Sequence, residues 1–205
     1  MAGKIRIIKR SLDEIYNDQV RYTLNATSQI DQTREQRNRL TTSVVDGSEI
    51  IGREDARSDI VKMLTDKTFS SEPHNSSHEE KLSVVSIVGM GDLGRSSLAQ
   101  LIYQDNSVET YFEQKMWVCV SNKFDVYRIL KEIMESIISV SCGDPSNVDV
   151  LARQVKKKLI GKTYLLVLDD LWNEDSEDWK KLKRVLAFGG EGSKLLVMTR
   201  SQKVA

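Results

Sequence analysis

The sequence predicts an α/β fold in which helices cover both faces of a doubly wound parallel sheet, and three observations lead to that prediction. Four short β-branched runs, "VVSIV", "MWVCV", "YLLVLDD" and "KLLVMT", occur from Leu82 onward. Their hydrophobicity is continuous rather than alternating, which is typical of strands that are buried on both faces. Segments with helical spacing separate the runs, and repeated strand–helix–strand units indicate crossovers between parallel strands.

Apolar residues three or four positions apart predict three helices among these strands. Asp125 is the expected N-cap of the first helix, Gly161 closes the second, and Asp178 is the entry to the third. The positions that define the helices are, in order, Val126, Ile129, Ile133 and Ile137; Leu151, Val155 and Leu159; and Trp179, Leu182 and Leu186.

The chain divides by composition into three parts. Residues 1–42 are strongly polar, and their apolar spacing predicts an amphipathic helix over 4–20. Residues 43–81 are predicted to be a linker, a short helix over roughly 54–64 with Ile60, Val61 and Leu64 facing inward, and a polar loop. Residues 82–205 carry the predicted sheet.

Composition excludes several classes of function. Acidic and basic residues balance at 30 each among 205 residues, so no electrostatic argument favours nucleic acid as a partner. No segment approaches the roughly eighteen apolar residues that span a bilayer. The two isolated cysteines, Cys119 and Cys142, are expected to be free thiols in a reducing compartment. We therefore expect a soluble intracellular protein.

A glycine-rich loop, "GMGDLGRS" from Gly89 to Ser96, follows the first strand directly and opens the helix "SLAQLIY". Glycines in this context let backbone N–H groups converge on phosphate oxygens at a helix N-terminus. Ser96 would then place its hydroxyl on Mg²⁺. The alternative interpretation is a tight turn between strand and helix in which the glycines are incidental.

Two residues of this loop depart from a phosphate-binding pattern. Arg95 stands where such loops carry lysine, and its planar guanidinium is not equivalent to a compact ammonium. Asp92 adds a carboxylate close to the bound phosphates, which would repel them. We expect weakened nucleotide binding, and we expect hydrolysis to be lost before binding is.

Polar residues also end two of the later strands. Asp169 and Asp170 close the apolar run "LLVLDD", where paired acids hold the water shell of Mg²⁺ and polarise an attacking water. Thr199 and Arg200 end "KLLVMT", and an arginine there can sense a terminal phosphate. The alternatives are a strand that ends in solvated acids and a surface arginine.

Five segments in the same order carry a resemblance to a known family. They are "IIGRE", "VVSIVGMGDLGRSSLAQLIY", "FEQKMWVCVSNKFDV", "LLVLDDLW" and "GSKLLVMTRS". Together they resemble the nucleotide-binding (NB-ARC) domain of plant disease-resistance proteins of the coiled-coil, leucine-rich-repeat class. The resemblance implies a P-loop NTPase fold. It also implies that residues 1–42 are the helical remnant of a coiled-coil domain and 82–205 a truncated NB-ARC domain.

The resemblance also implies roles for individual residues. Ser96 and Asp169 would hold Mg²⁺, Asp170 would be the hydrolytic acid, and Arg200 would report on the γ-phosphate. Ile51, Gly52 and Arg53 would lie near the adenine and ribose. The residues implied to cradle the phosphates are Gly89, Met90, Gly91, Asp92, Leu93, Gly94, Arg95, Ser96 and Ser97.

The implied function is that of an ADP/ATP-binding switch module in a cytoplasmic plant immune receptor, with other receptor chains or signalling proteins as partners. Members of the family rest with ADP and exchange it for ATP when a pathogen is perceived. The family loop reads GMGGVGKTT, so Asp92 and Arg95 predict at most a slow ATPase. The alternative is a degenerate, non-catalytic interaction module that pairs with intact receptors. A small kinase is a third class, but the sequence offers no acceptor site or lid.

Overall fold

The structure is a computed structural model that describes residues 41–47, 50–66, 82–89, 94–120, 124–145, 147–171 and 176–201, all within the compact unit Thr41–Ala205. The amphipathic helix predicted over 4–20 lies outside the described residues. So do the polar loop at 67–81 and the centre of the glycine-rich loop, residues 90–93.

Ten helices and strands make up this described part. In chain order they are α1 (Glu54–Thr65), β1 (Ser83–Val88), α2 (Arg95–Tyr103), α3 (Asn106–Tyr111), β2 (Gln114–Cys119), α4 (Val126–Ile138), α5 (Val148–Leu159), β3 (Tyr164–Leu171), α6 (Ser176–Leu186) and β4 (Lys194–Thr199).

The four strands form one sheet in the order β1-β4-β3-β2, and every pair is parallel. All four predicted strands are therefore confirmed. Their carboxyl ends lie at one edge of the sheet, and β4 separates β1 from β3. In open parallel sheets this edge is where ligands bind.

Helices cover both faces of the sheet, so the predicted doubly wound α/β architecture is confirmed. Helices α4, α5 and α6 pack on one face, and α1, α2 and α3 pack on the other. Successive residues of the two central strands alternate between these cores, as strand geometry requires. Those in the first core are Leu166, Leu168, Leu195 and Val197, and those in the second are Leu165, Val167, Leu196 and Met198.

The helix ends follow their capping residues. The side chain of Asp125 accepts a hydrogen bond from the backbone N–H of Arg128, which confirms it as the N-cap of α4. Gly161 follows α5 with a φ of 72°, the left-handed geometry in which glycine ends helices. Helix α6 begins at Ser176, so the start expected at Asp178 is wrong by two residues; Asp178 lies in its first turn.

Helix α3 was not predicted. Asp105 caps it by accepting a hydrogen bond from the N–H of Ser107, and its six residues bury one side chain, that of Val108. The helix is too short to show a hydrophobic period. Asp105 also accepts two hydrogen bonds from the guanidinium of Arg57, at 2.6 and 2.9 Å, which ties α3 to α1.

Two further expectations concern the whole chain. Within the described residues, no helix combines the length and apolar character needed to cross a bilayer. Both cysteines are free thiols as expected, with Cys119 buried in the core and Cys142 partly exposed.

Candidate nucleotide-binding site

The glycine-rich loop leaves β1 at the edge of the sheet where all four strands end. The N–H of Gly89 donates to the carbonyl oxygen of Thr199 at 3.3 Å, so the loop starts beside the end of β4. The loop returns at Gly94, the N-cap of α2, whose φ of 69° is left-handed. Glycine adopts that backbone geometry without the strain that a side chain would add.

The side chain of Arg95 folds back over the start of the loop. A Cβ atom at Gly89 would lie 3.2 Å from Cδ of Arg95, so a residue with a side chain would crowd it. Within the part of the chain that the structure describes, Nη1 of Arg95 is buried and has no hydrogen-bond partner. A buried donor without an acceptor costs about 1–3 kcal/mol. An anionic oxygen, such as that of a phosphate, would be a strong acceptor for it.

Ser96 and Asp169 lie in contact, although β4 separates the strands that lead to them. The Ser96 hydroxyl donates to Oδ1 of Asp169 at 3.3 Å. The Asp169 residue is only 2% exposed, and its Oδ2 accepts a hydrogen bond from the Thr41 hydroxyl at 2.5 Å. Thr41 belongs to none of the sequence motifs. A carboxylate next to a hydroxyl is the hard-oxygen donor set that Mg²⁺ prefers, so these residues fit that ion.

A metal at this position would need further oxygen ligands. Among the described residues, no group of three or more His, Cys, Asp or Glu side chains could enclose a metal ion. Mg²⁺ is commonly bound by one or two carboxylates together with phosphate oxygens and water, rather than by an all-protein cage. The donor set is therefore suited to a metal that arrives with a phosphorylated ligand.

Asp170 has an unusual backbone. Between Leu168 and Leu171, β3 advances by three residues while β4 advances by two, from Val197 to Thr199. This register shift is a bulge, and Asp170 within it has a φ of 54°. Left-handed geometry costs a residue with a side chain about 1–2 kcal/mol. Strained residues of this kind cluster at functional sites.

The bulge brings the second acid of the pair near the arginine that ends the neighbouring strand. Oδ1 of Asp170 lies 3.9 Å from Nε of Arg200. The two residues implied to act in hydrolysis and γ-phosphate sensing therefore lie side by side. Asp169, which directly precedes Asp170, accepts a hydrogen bond from Ser96. The two acids therefore contact different residues.

Arg53, directly before α1, is a further residue at this edge of the sheet. Nη2 of Arg53 would lie 3.8 Å from a Cβ atom at Gly94, so Arg53 lies beside the end of the glycine-rich loop. Gly52 has a left-handed φ of 77°. Ile51 is 88% exposed, although it is large and apolar. Ser97 lies in the first turn of α2 and is partly buried.

Comparison with known proteins gives a consistent assignment. Residues 73–205 match the NB-ARC domain family. The chain is 42% identical over 167 residues to Putative disease resistance RPP13-like protein 1 of Arabidopsis thaliana, covering 80% of the chain and 15% of that protein. It is 40% identical over 166 residues to Disease resistance protein RGA2 of Solanum bulbocastanum, covering 81% of the chain and 16% of that protein.

The chain thus spans about a sixth of the length of these two relatives, at 15% and 16%. The family match covers the whole sheet, from before β1 to the end of β4. The four-stranded, all-parallel sheet with its helices is consistent with that match. The chain belongs to the NB-ARC domain family, a family of nucleotide-binding domains.

Proposed function

We propose that the chain is the ADP/ATP-binding module of a molecular switch in a plant immune receptor. The relatives with which it aligns carry disease resistance in their names, and the proposal extends that role to this chain, in the cytoplasm. The observation that carries it is the 3.3 Å contact between Ser96 and Asp169, which joins the start of α2 to the end of β3.

Each residue at this edge has a proposed task. Ser96 and Asp169 would hold Mg²⁺, which supplies positive charge against the phosphates when it is bound. Arg95 would donate a hydrogen bond from its buried Nη1 to a phosphate oxygen, and this donor would then have an acceptor. Arg53 lies beside Gly94, at the place proposed for the ribose. The exposed side chain of Ile51 would pack against the adenine.

Hydrolysis is proposed to be slow. Asp170 would orient a water molecule, and Arg200 beside it would sense the terminal phosphate. The wide guanidinium of Arg95 does not reproduce the position of a lysine ammonium between two phosphates. Asp92 would add repulsion in the same loop. The module would therefore report which nucleotide is bound rather than turn nucleotide over.

The second candidate is a non-catalytic interaction module that pairs with other receptor chains or signalling proteins. The departures at Asp92 and Arg95 favour it, because both weaken the attraction or fit of phosphates. The buried, unpartnered Nη1 of Arg95 favours nucleotide binding instead, because a bound phosphate would supply the missing acceptor and an interaction module without nucleotide would not.

Titration of the 205-residue chain with fluorescent ADP, with and without Mg²⁺, distinguishes the two. The switch proposal predicts saturable binding that tightens in Arg95→Lys. The matched control is Arg153→Lys, which changes an exposed arginine on α5 that is paired with Asp149 and should leave binding unchanged. If neither the wild type nor Arg95→Lys binds at millimolar ADP, the switch proposal is wrong and the interaction module replaces it.

A further inference from the structure

Thr41 contacts the proposed metal site from a part of the chain that belongs to neither the glycine-rich loop nor the acid pair. Its hydroxyl donates to Oδ2 of Asp169 at 2.5 Å, across 128 positions of sequence. The other oxygen of the same carboxylate accepts from Ser96 at 3.3 Å. The buried carboxylate is thus bonded at each oxygen by a different hydroxyl.

The segment that carries Thr41 is hydrogen-bonded to side chains of α2 and of its C-cap. The side-chain amide of Gln100 donates to the carbonyl oxygen of Thr42. The amide of Gln104, the C-cap residue of α2, donates to the carbonyl oxygen of Ser43 at 3.1 Å. Helix α2 therefore positions both hydroxyls. Ser96 lies in the first turn of α2, and Thr41 lies on the segment that accepts hydrogen bonds from Gln100 and Gln104.

We propose that Thr41 is a positioning residue for Mg²⁺: its hydroxyl fixes the Asp169 carboxylate so that Oδ1 is presented beside Ser96. This inference rests on the proposed function. A carboxylate oxygen has more than one lone pair, and the bond to Oδ2 leaves Oδ1 for the metal. Hydrogen bonds that orient a metal-binding carboxylate in this way typically change metal affinity 10- to 100-fold when they are removed.

The hydrogen bond from Thr41 to Asp169 is also compatible with the opposite effect on metal affinity. If the metal had to displace Thr41 from Asp169, the hydroxyl would compete with Mg²⁺, and its removal would tighten metal binding. The pattern of contacts favours positioning, because Ser96 and Thr41 use different oxygens of the carboxylate. The two effects have opposite signs and are separated by one measurement.

The test uses Thr41→Val, which keeps the shape of the side chain and removes the hydroxyl, and Thr41→Ser, which restores the hydroxyl. Thr42→Val is the matched control, because the Thr42 hydroxyl donates to the carbonyl oxygen of Val44 at 3.4 Å and not to Asp169. Mn²⁺ is the metal probe, and its binding to the ADP-loaded chain is counted by electron paramagnetic resonance. ADP affinity is measured separately in EDTA.

We expect Thr41→Val to weaken Mn²⁺ binding about 10- to 100-fold, with ADP affinity in EDTA unchanged. Thr41→Ser should restore most of the metal affinity, and Thr42→Val should match the wild type. Gln104→Met, which releases the carbonyl oxygen of Ser43 without touching Asp169, should weaken Mn²⁺ binding by a smaller factor. This variant provides the test if Thr41→Val does not fold.

Four results would overturn the inference. Tighter Mn²⁺ binding in Thr41→Val would show that the hydroxyl competes with the metal. An equal loss of ADP affinity with and without metal would show a general structural role. A wild type that binds ADP but not Mn²⁺ would show that Asp169 is no metal ligand, while nucleotide binding stands. A wild type that binds no ADP is the failure of the proposed function itself, and the inference falls with it.

Discussion

Nε of Arg200 lies 3.9 Å from Oδ1 of Asp170, at the ends of two neighbouring strands. The Arg200 side chain is 38% exposed, and ion pairs that solvent reaches contribute only about 0–1 kcal/mol. A terminal phosphate, which carries more charge than one carboxylate, would therefore compete with Asp170 for the guanidinium.

Replacement of Arg200 by glutamine should separate ATP from ADP. The variant loses a charge-assisted hydrogen bond to the γ-phosphate, and such bonds contribute about 1.5–3 kcal/mol, so ATP affinity should fall about tenfold or more. ADP affinity should hardly change, because ADP lacks that phosphate. Competition against fluorescent ADP measures both, with Arg153→Gln on α5 as the control. Equal losses for ADP and ATP would remove Arg200 from the proposed sensing role.

Replacement of Arg95 by methionine should have opposite effects on stability and on binding. Methionine keeps the stem that packs against Gly89 but removes the buried, unpartnered Nη1 donor. The free energy of unfolding without nucleotide should rise by about 1 kcal/mol, whereas ADP affinity should fall. Urea unfolding and ADP titration test the two effects. A variant that is less stable and binds ADP as well as wild type would show that Nη1 makes a structural bond.

Stability should fall at alkaline pH because tyrosines are buried. Burial, with a smaller contribution from Glu109, raises the pKa of Tyr103 to about 12 from its ordinary value of 10.0. Burial also raises the pKa of Tyr164, whose hydroxyl donates to the carbonyl oxygen of Leu186 at 2.8 Å. Above pH 10 the unfolded chain loses these protons while the folded chain keeps them, so each added pH unit favours unfolding by up to about 1.4 kcal/mol per group.

The variant Tyr103→Phe isolates one of these groups. It keeps the ring that packs edge-on against Trp117, with centroids 5.7 Å apart, and removes the proton that titrates. Its stability at pH 7 should be close to that of wild type, and its decline between pH 10 and pH 12 should be less steep. Urea unfolding across this range measures the difference. Parallel curves for the two proteins would mean that Tyr103 titrates normally in the folded chain.

The sequence predicted the strands because burial on both sides requires continuous apolar residues. Runs such as "LLVLDD" therefore identify a central parallel strand from composition alone. The long helices were equally visible, since α4 and α5 have several turns over which an apolar period repeats. The six residues of α3 are too few for such a period, and the sequence pattern predicts the start of α6 two residues late.

The features that the sequence did not predict depend on contacts between distant residues. Nothing local sets the order β1-β4-β3-β2, because several orders bury the same apolar strands. The bulge at Asp170 depends on the register between β3 and β4. Thr41 meets Asp169 across 128 positions, and no local pattern marks a threonine for that contact. The motifs predict candidate site residues, and the fold determines which of them meet.

The most direct test of the central claim is a double-mutant cycle on Ser96 and Asp169, read as the Mg²⁺-dependent affinity for ADP. If one metal joins the two side chains, Ser96→Ala and Asp169→Asn should each weaken ADP binding. The total loss of affinity in the double variant should then be far smaller than the product of the two single-variant losses. We expect a coupling of about 1 kcal/mol or more, which is typical of residues in one network. Ser107→Ala on α3, combined with Asp169→Asn, should show no coupling. Additive losses for Ser96 and Asp169, or an ADP affinity that ignores Mg²⁺ in the wild type, would contradict a shared metal site.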